Sequence, residues 1–205
     1  MPLTLRALAI LLVALCASLA WAQSAMAPAE VLQALRGGGY VIVFRHGGTH
    51  ADQADTDPLN HDNVAKQRHL NDRGRTEARA VGEAFRKAGV PIGKVYASRF
   101  QRAVETARLI AGKDPQPTLD VTEGGLVVSP NENNRRAQAF RALVATPPDL
   151  GTNTLIVSHK PNIIDAFGKD WFEIKEGEAS IFKPAGGGTY ALVARVQIGQ
   201  WTVVR

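Results

Sequence analysis

Two short apolar runs, each followed almost at once by a histidine, constrain the fold of this chain more than any other feature. Residues 40–44 read YVIVF and residues 154–157 read TLIV, and neither run alternates polar with apolar positions. Strands of this kind are buried on both faces, which is typical of a parallel sheet covered by helices. The sequence therefore predicts an α/β domain.

The segments around these two strands complete the predicted architecture. Apolar residues at helical spacing, with glycine or proline where the pattern stops, predict helices over 28–35, 71–87, 99–111 and 132–146. Further strands are expected over 94–97, 117–121, 180–183, 189–196 and 201–204. Alternating strands and helices indicate a three-layer α/β/α sandwich with a mostly parallel central sheet.

The N-terminus has the pattern of a secretory signal peptide. Arg6 precedes a run of apolar and small residues, and Ala20-Trp21-Ala22 supplies a small-residue cleavage site before Gln23. The run is shorter than the ~20 residues that span a bilayer. We predict a signal peptide over 1–22 and one catalytic domain over 23–205, located in the periplasm or secreted, with no stable membrane insertion after cleavage.

Composition excludes several classes of function. The single cysteine, Cys16, lies in the predicted signal peptide, so the exported chain would contain neither a cysteine nucleophile nor a disulfide. The net charge of +5 weakly favours anionic ligands. The sequence contains no basic stripe interleaved with aromatic residues, so it gives no indication of nucleic-acid binding. Histidines and aspartates between residues 50 and 69 match no metal-ligand spacing, so no metal and no cofactor are expected.

Charged side chains follow the predicted strands at the point where ligands bind in α/β sheets, beyond the carboxyl ends. Arg45 and His46 follow the first buried strand, His159 follows the other, and Arg102 begins a helix after a third, short strand. If these strands are neighbours, the four side chains converge on a cationic pocket. Guanidinium groups bind phosphate oxygens bidentately, and a neutral histidine can attack phosphorus.

Four segments carry these residues in a recognisable order. They are Arg45-His46-Gly47-x-Thr49, Leu70-Asn71-Asp72-Arg73-Gly74-Arg75, Ser98-x-x-x-Arg102-Ala103-x-x-Thr106-Ala107 and Val157-Ser158-His159-Lys160-Pro161-Asn162. Together they resemble the histidine phosphatase superfamily, with its phosphoglycerate mutase-like fold, and in particular small exported bacterial members. The resemblance extends over residues 40–164.

The resemblance implies a role for each matching residue. His46 would be the nucleophile that becomes phosphorylated. Arg45, Arg102 and His159 would form the rest of the phosphate pocket. Thr49, three residues after His46, either donates a hydrogen bond to the phosphate or shapes the turn, and we include it among the candidate phosphate-binding residues.

The proton donor is less well defined by the sequence. Glu123 follows the predicted strand over 117–121, where members of the family often carry their acid. Asp52 lies where many members have asparagine. The remaining candidates for the acid are Asp52, Asp55, Asp57 and Glu132.

These features predict an exported, metal-independent phosphomonoesterase that hydrolyses a small phosphorylated substrate through a phosphohistidine on His46. Alternatives within the same chemistry are a phosphoglycerate-type mutase, a protein-phosphohistidine phosphatase and a lipopolysaccharide-phosphate phosphatase. A non-catalytic anion-binding module of the envelope is the alternative from a different class, although binding alone needs no nucleophile.

Overall fold

A six-stranded sheet forms the centre of the fold in a computed structural model, which describes residues 26–202; the predicted signal peptide lies outside them. The order across the sheet is β3-β2-β4-β1-β5-β6. The first four are parallel, and β5 and β6 are antiparallel to their neighbours. The strands are β1 (Val41–Arg45), β2 (Ile92–Ala97), β3 (Gln116–Pro117), β4 (Asn153–Ser158), β5 (Ala179–Gly186) and β6 (Thr189–Val196).

Helices cover both faces of this sheet. Side chains of β1 alternate between the two cores, because successive residues of a strand point to opposite faces. Ile42 and Phe44 pack with α1, α2 and α3, whereas Val41 and Val43 pack with α4 and α5. The helices are α1 (Pro28–Leu35), α2 (Asp72–Ala88), α3 (Gln101–Ala111), α4 (Pro130–Ala145) and α5 (Lys160–Phe167).

This architecture confirms the predicted α/β/α sandwich with a mostly parallel sheet. Within residues 26–202, no helix has the length and apolar character needed to cross a lipid bilayer.

Two local predictions were wrong, and one helix was missed. The strand expected over 117–121 is reduced to the two residues of β3, followed by a 3-10 helix over Leu119–Val121. Residues 201–202 lie in a second 3-10 helix, Ile198–Thr202, because Trp201 turns inward and packs edge-on against Phe85; residues 203–204 lie outside the described part. Helix α5 was not predicted, although its proline lies in the first turn, where proline is tolerated.

The register of β1 against its neighbours positions the candidate site. Arg45 pairs with Ser158 of β4, so the two parallel strands end at the same level. Ala97, the last residue of β2, pairs with Val157. The residues that follow all three strands therefore emerge side by side at one edge of the sheet.

The long segment between β1 and α2 folds back onto this edge. Thr49 and Leu70 form an isolated antiparallel bridge, and the Asn71 side chain donates to the Thr49 carbonyl oxygen at 2.9 Å. Farther along, the Gln67 side chain accepts a hydrogen bond from the backbone N–H of Gln101, at the start of α3. Both ends and the later part of this loop are thus attached to the helices beside the site.

Gly74 in the first turn of α2 allows this loop to approach closely. A Cβ at Gly74 would lie 2.1 Å from the carbonyl oxygen of Gly48, a backbone atom that cannot move without moving the loop. Gly74→Ala should therefore destabilise the protein by about 1–3 kcal/mol, although alanine normally stabilises a helix relative to glycine.

Urea denaturation would measure this effect, with Gly37→Ala as the control. A Cβ at Gly37 meets only ordinary van der Waals contact, so that variant should stay within about 0.5 kcal/mol of the wild type. Equal stability of the two variants would contradict the close approach.

Candidate active site

His46 is buried immediately after β1, with 2% of its surface exposed. Its Nδ1 lies 2.9 Å from the carbonyl oxygen of Gly47. Because a carbonyl can only accept, the proton of the neutral ring is on Nδ1, and Nε2 keeps its lone pair. Burial holds the pKa of His46 well below its ordinary value, and the positive charge of Arg102 lowers it further. The side chain is therefore a neutral ring whose Nε2 keeps an unshared electron pair.

His159 lies beside His46, with 5.1 Å between the ring centroids. Its Nε2 is 2.7 Å from the hydroxyl oxygen of Ser98, which already accepts from the backbone N–H of Phe100. The hydroxyl proton has no other acceptor among residues 26–202 and therefore goes to Nε2, which leaves the proton of the neutral His159 ring on Nδ1, 3.3 Å from the Glu123 carboxylate. Burial, followed by the charge of Arg102, keeps the pKa of His159 well below its ordinary value.

Arg102 is fully buried at the start of α3, and two carboxylates hold its guanidinium group. One Nη atom donates to Asp55 at 2.9 Å, and the other donates to Glu123. The ring of Phe100 lies beneath the guanidinium, 4.3 Å from its carbon. These contacts fix one orientation for Arg102, so little reorganisation is needed when it binds an anion.

Arg45 is held from the opposite side of the site. Its Nη1 donates to the carbonyl oxygen of Ile174 at 2.8 Å, and its Nη2 lies 3.6 Å from Glu176. The same Glu176 accepts a hydrogen bond from the Thr49 hydroxyl at 2.8 Å. The structure thus directs that hydroxyl toward Glu176, and the phosphate-binding role of Thr49 stays a prediction.

Glu123 lies between the second histidine and the buried arginine. Its Oε1 accepts from Arg102 and lies 3.3 Å from Nδ1 of His159. The preceding Thr122 fixes this position, since its carbonyl oxygen accepts from Arg136 of α4 and Asn162 of α5. A carboxyl group here is well placed to reach a leaving oxygen.

The four other candidates for the acid are in different surroundings. Asp52 is exposed and makes no hydrogen bond or ion pair with residues 26–202. Asp55 accepts hydrogen bonds from the side chain of Arg102 and from the backbone N–H of Arg68, so it helps to fix the orientation of the Arg102 guanidinium. Asp57 accepts from a side chain of its own loop.

Glu132 is engaged by two arginines of its own helix. Hydrogen bonds from Arg135 and Arg136 lower the pKa of Glu132 to about 2. Among the five candidate carboxyl groups, Glu123 is the one in contact with a site histidine, 3.3 Å from Nδ1 of His159, and this position favours it as the acid.

Several buried donors face this site without a hydrogen-bond partner among residues 26–202. They are Nε of Arg45, Nε of Arg102 and Nδ1 of His159. Buried donors are nearly always satisfied, and an anion with several oxygens could satisfy all three. In the same part of the chain, no group of three or more His, Cys, Asp or Glu side chains is arranged to hold a metal ion.

Comparison with protein families finds a match for part of the chain. Residues 41–127 match the model of the histidine phosphatase superfamily (branch 1). The resemblance to this superfamily is confirmed. The matched segment contains Arg45, His46, Arg102 and Glu123, whereas His159 lies beyond it.

Curated relatives match a shorter segment of this histidine phosphatase-like domain. The mitochondrial serine/threonine-protein phosphatase Pgam5 of Drosophila virilis is 38% identical over 71 residues, which is 35% of this chain. Pgam5 of Drosophila willistoni is 37% identical over 83 residues. The chain spans only 22% and 25%, respectively, of the length of these relatives.

Solved structures resemble the domain over most of its length. The protein histidine phosphatase SixA, complexed with tungstate, has a TM-score of 0.54 at 18% identity and covers 78% of this chain and 97% of its own. Mycobacterial glucosyl-3-phosphoglycerate phosphatase has a TM-score of 0.55 at 17% identity, covering 78% of this chain and 100% of its own. At these identities, the likeness shows the shared fold.

Sequence reasoning placed the histidines and arginines at one edge but missed how they are held. Two supporting residues were missed: Ser98, which fixes the ring of His159, and Glu176, which pairs with Arg45. Ser98 lies in one of the four motifs, so its position at a strand end was an available signal. Glu176 lies in a polar turn before β5, where the sequence shows no comparable pattern.

The depressed pKa values of His46 and His159 predict a loss of stability in mild acid. Below about pH 6.5 these histidines bind protons in the unfolded protein but stay unprotonated in the folded protein. The free energy of unfolding therefore falls as the pH decreases. Between pH 7.5 and 5.5, each histidine should account for up to about 1.4 kcal/mol.

Urea denaturation at both pH values would measure this loss in the wild type and in His46→Gln. The variant should lose clearly less stability than the wild type over this interval. An identical pH dependence in the two proteins would show that His46 is not held neutral by the fold.

Proposed function

We propose that this protein is an exported, metal-independent phosphomonoesterase that acts through a phosphohistidine on His46. The observation that carries the proposal is the state of His46: a neutral ring with Nδ1 bound to the Gly47 carbonyl and Nε2 left as the nucleophile. A module that only binds anions would gain nothing from this arrangement, since a protonated histidine attracts anions more strongly.

The geometry supports a two-step reaction. Nε2 of His46 attacks phosphorus, the ester P–O bond breaks, and the leaving oxygen takes the proton of the Glu123 carboxyl group. The resulting carboxylate then takes a proton from water as the water oxygen attacks phosphorus, which breaks the N–P bond and releases phosphate. Arg45, Arg102 and His159 donate to the equatorial oxygens, where negative charge accumulates.

Phosphoproteins are a second class of substrate to test beside small phosphate esters. The relatives that match over 71 to 83 residues are named serine/threonine-protein phosphatases. Phosphoserine peptides and small phosphorylated metabolites should therefore be compared in the same assay.

Hydrolysis of p-nitrophenyl phosphate by purified protein tests the proposal. We expect turnover that persists in EDTA and that falls by about 10⁴-fold or more in His46→Ala, with the fold retained in thermal denaturation. Turnover within tenfold of the wild type in that variant would overturn the mechanism, and loss of activity in EDTA would overturn its metal independence.

Leaving-group dependence tests Glu123 as the acid. An alkyl phosphate needs a proton in the transition state, whereas p-nitrophenolate leaves with little help. Glu123→Gln should therefore slow alkyl phosphates by about 10²–10³-fold and p-nitrophenyl phosphate much less. Arg102→Ala should slow both alike, because it acts on the transferred group.

Asp52→Asn is the control for that comparison, because its exposed side chain contacts none of the site residues. It should leave both rates near those of the wild type. Equal losses on both substrates for Glu123→Gln would remove Glu123 as the acid.

Export is supported by the N-terminal sequence pattern. Mass spectrometry of protein recovered from the cell envelope or medium should find Gln23 as the first residue. Protein that keeps Met1 and stays in the cytosol would contradict export.

A further inference from the structure

One arginine near His159 has no role in the mechanism above. Three guanidinium groups lie close enough for their charges to lower the pKa of His159, and they belong to Arg102, Arg68 and Arg45. Arg68 lies in the loop between β1 and α2 and is half-buried. Its charge also lowers the pKa of Arg45.

The main chain of Arg68 is fixed against the buried arginine. Its N–H donates to Asp55 at 2.9 Å, and its carbonyl oxygen lies 3.5 Å from the donating Nη1 of Arg102. The same oxygen of Asp55 accepts from Arg102, so one carboxylate joins the loop to α3. The neighbouring Gln67 is buried and bound to the first turn of that helix. Arg68 is therefore held at the site by its backbone.

The three guanidinium groups differ in the carboxylates with which they form ion pairs. Arg102 is bound to Asp55 and Glu123, and Arg45 is close to Glu176. The guanidinium of Arg68 makes no hydrogen bond or ion pair with any side chain or backbone group of residues 26–202. It is thus a cation held beside the site with its five donors uncommitted.

The unpaired positive charge of Arg68 suits the negatively charged substrate of the proposed reaction. A phosphate ester near neutral pH carries close to two negative charges, since its second pKa is about 6. Carboxylates already offset much of the charge of Arg45 and Arg102 at the site, so these two alone offer little net positive charge to a dianion. An uncommitted guanidinium close to both supplies it.

We propose that Arg68 is a further ligand of the substrate's phosphoryl group, a third guanidinium beside Arg45 and Arg102. The proposal rests on the proposed function, because it needs a phosphoryl group at His46. It assigns Arg68 to the transferred group rather than to the leaving group, because its backbone is joined through Asp55 to Arg102, which the proposed mechanism places on the equatorial oxygens.

Titration calorimetry with inorganic phosphate, together with turnover of p-nitrophenyl phosphate, tests this assignment. Arg68→Gln should weaken phosphate binding by about 10- to 100-fold, the range for a hydrogen-bonded charge, and lower kcat/KM by a similar factor. Arg68→Lys should recover part of both, since lysine keeps the charge but loses the two-pronged geometry. Thermal denaturation should show every variant folded.

Lys66→Gln is the matched control, because Lys66 is an exposed cation two residues away in the same loop. It should bind phosphate within about twofold of the wild type, so that the loss in Arg68→Gln is not a general effect of charge in the loop. If Arg68→Gln does not fold, Arg68→Lys decides the question: phosphate binding equal to the wild type would overturn the proposal.

Three results would overturn the assignment. Unchanged phosphate binding in an active Arg68→Gln protein would remove Arg68 as a ligand and leave the proposed function standing. A loss confined to phosphoserine, with p-nitrophenyl phosphate and inorganic phosphate unaffected, would place Arg68 at the leaving group. A wild type that neither binds nor hydrolyses phosphate compounds would overturn both proposals.

Discussion

The parallel pairing of β1 with β4 is the constraint on which the rest of the site depends. Their register brings the two strands to an end at the same level, which sets the rings of His46 and His159 5.1 Å apart. Adding β2 beside β4 brings the start of α3, and with it Arg102, to the same edge. A shift of one residue in either pairing would turn alternate side chains to the other face and separate these groups.

The electrostatics of the site follow from burial combined with backbone contacts. Two histidines surrounded by guanidinium groups remain neutral, and the hydrogen-bond partners of each ring determine which nitrogen keeps the proton. In His46 the Gly47 carbonyl holds that proton on Nδ1, whereas in His159 the Ser98 hydroxyl leaves it on Nδ1 by donating to Nε2. With the same tautomer, His46 can serve as the nucleophile that we propose, and His159 can donate from Nδ1.

The sequence predicted those features of the fold and the site that are encoded by residues adjacent in the chain. The uninterrupted apolar runs of β1 and β4 identified the buried strands, and the polar residues directly after them identified the edge of the site. The final 3-10 helix could not be predicted in this way, because Trp201 is placed by packing against Phe44 and Phe85, which are distant in sequence. Arg68 was missed for a similar reason, since only the folded loop brings it near His159.

The central claim is that Nε2 of His46 becomes covalently phosphorylated. It is tested most directly by alkaline quenching of the protein during turnover, followed by peptide mass spectrometry and NMR of the trapped phosphohistidine. The account predicts one phosphoryl group, on His46, attached at Nε2 because Nδ1 donates to the Gly47 carbonyl. Phosphate on Nδ1, on another residue, or on no residue while turnover proceeds would contradict it.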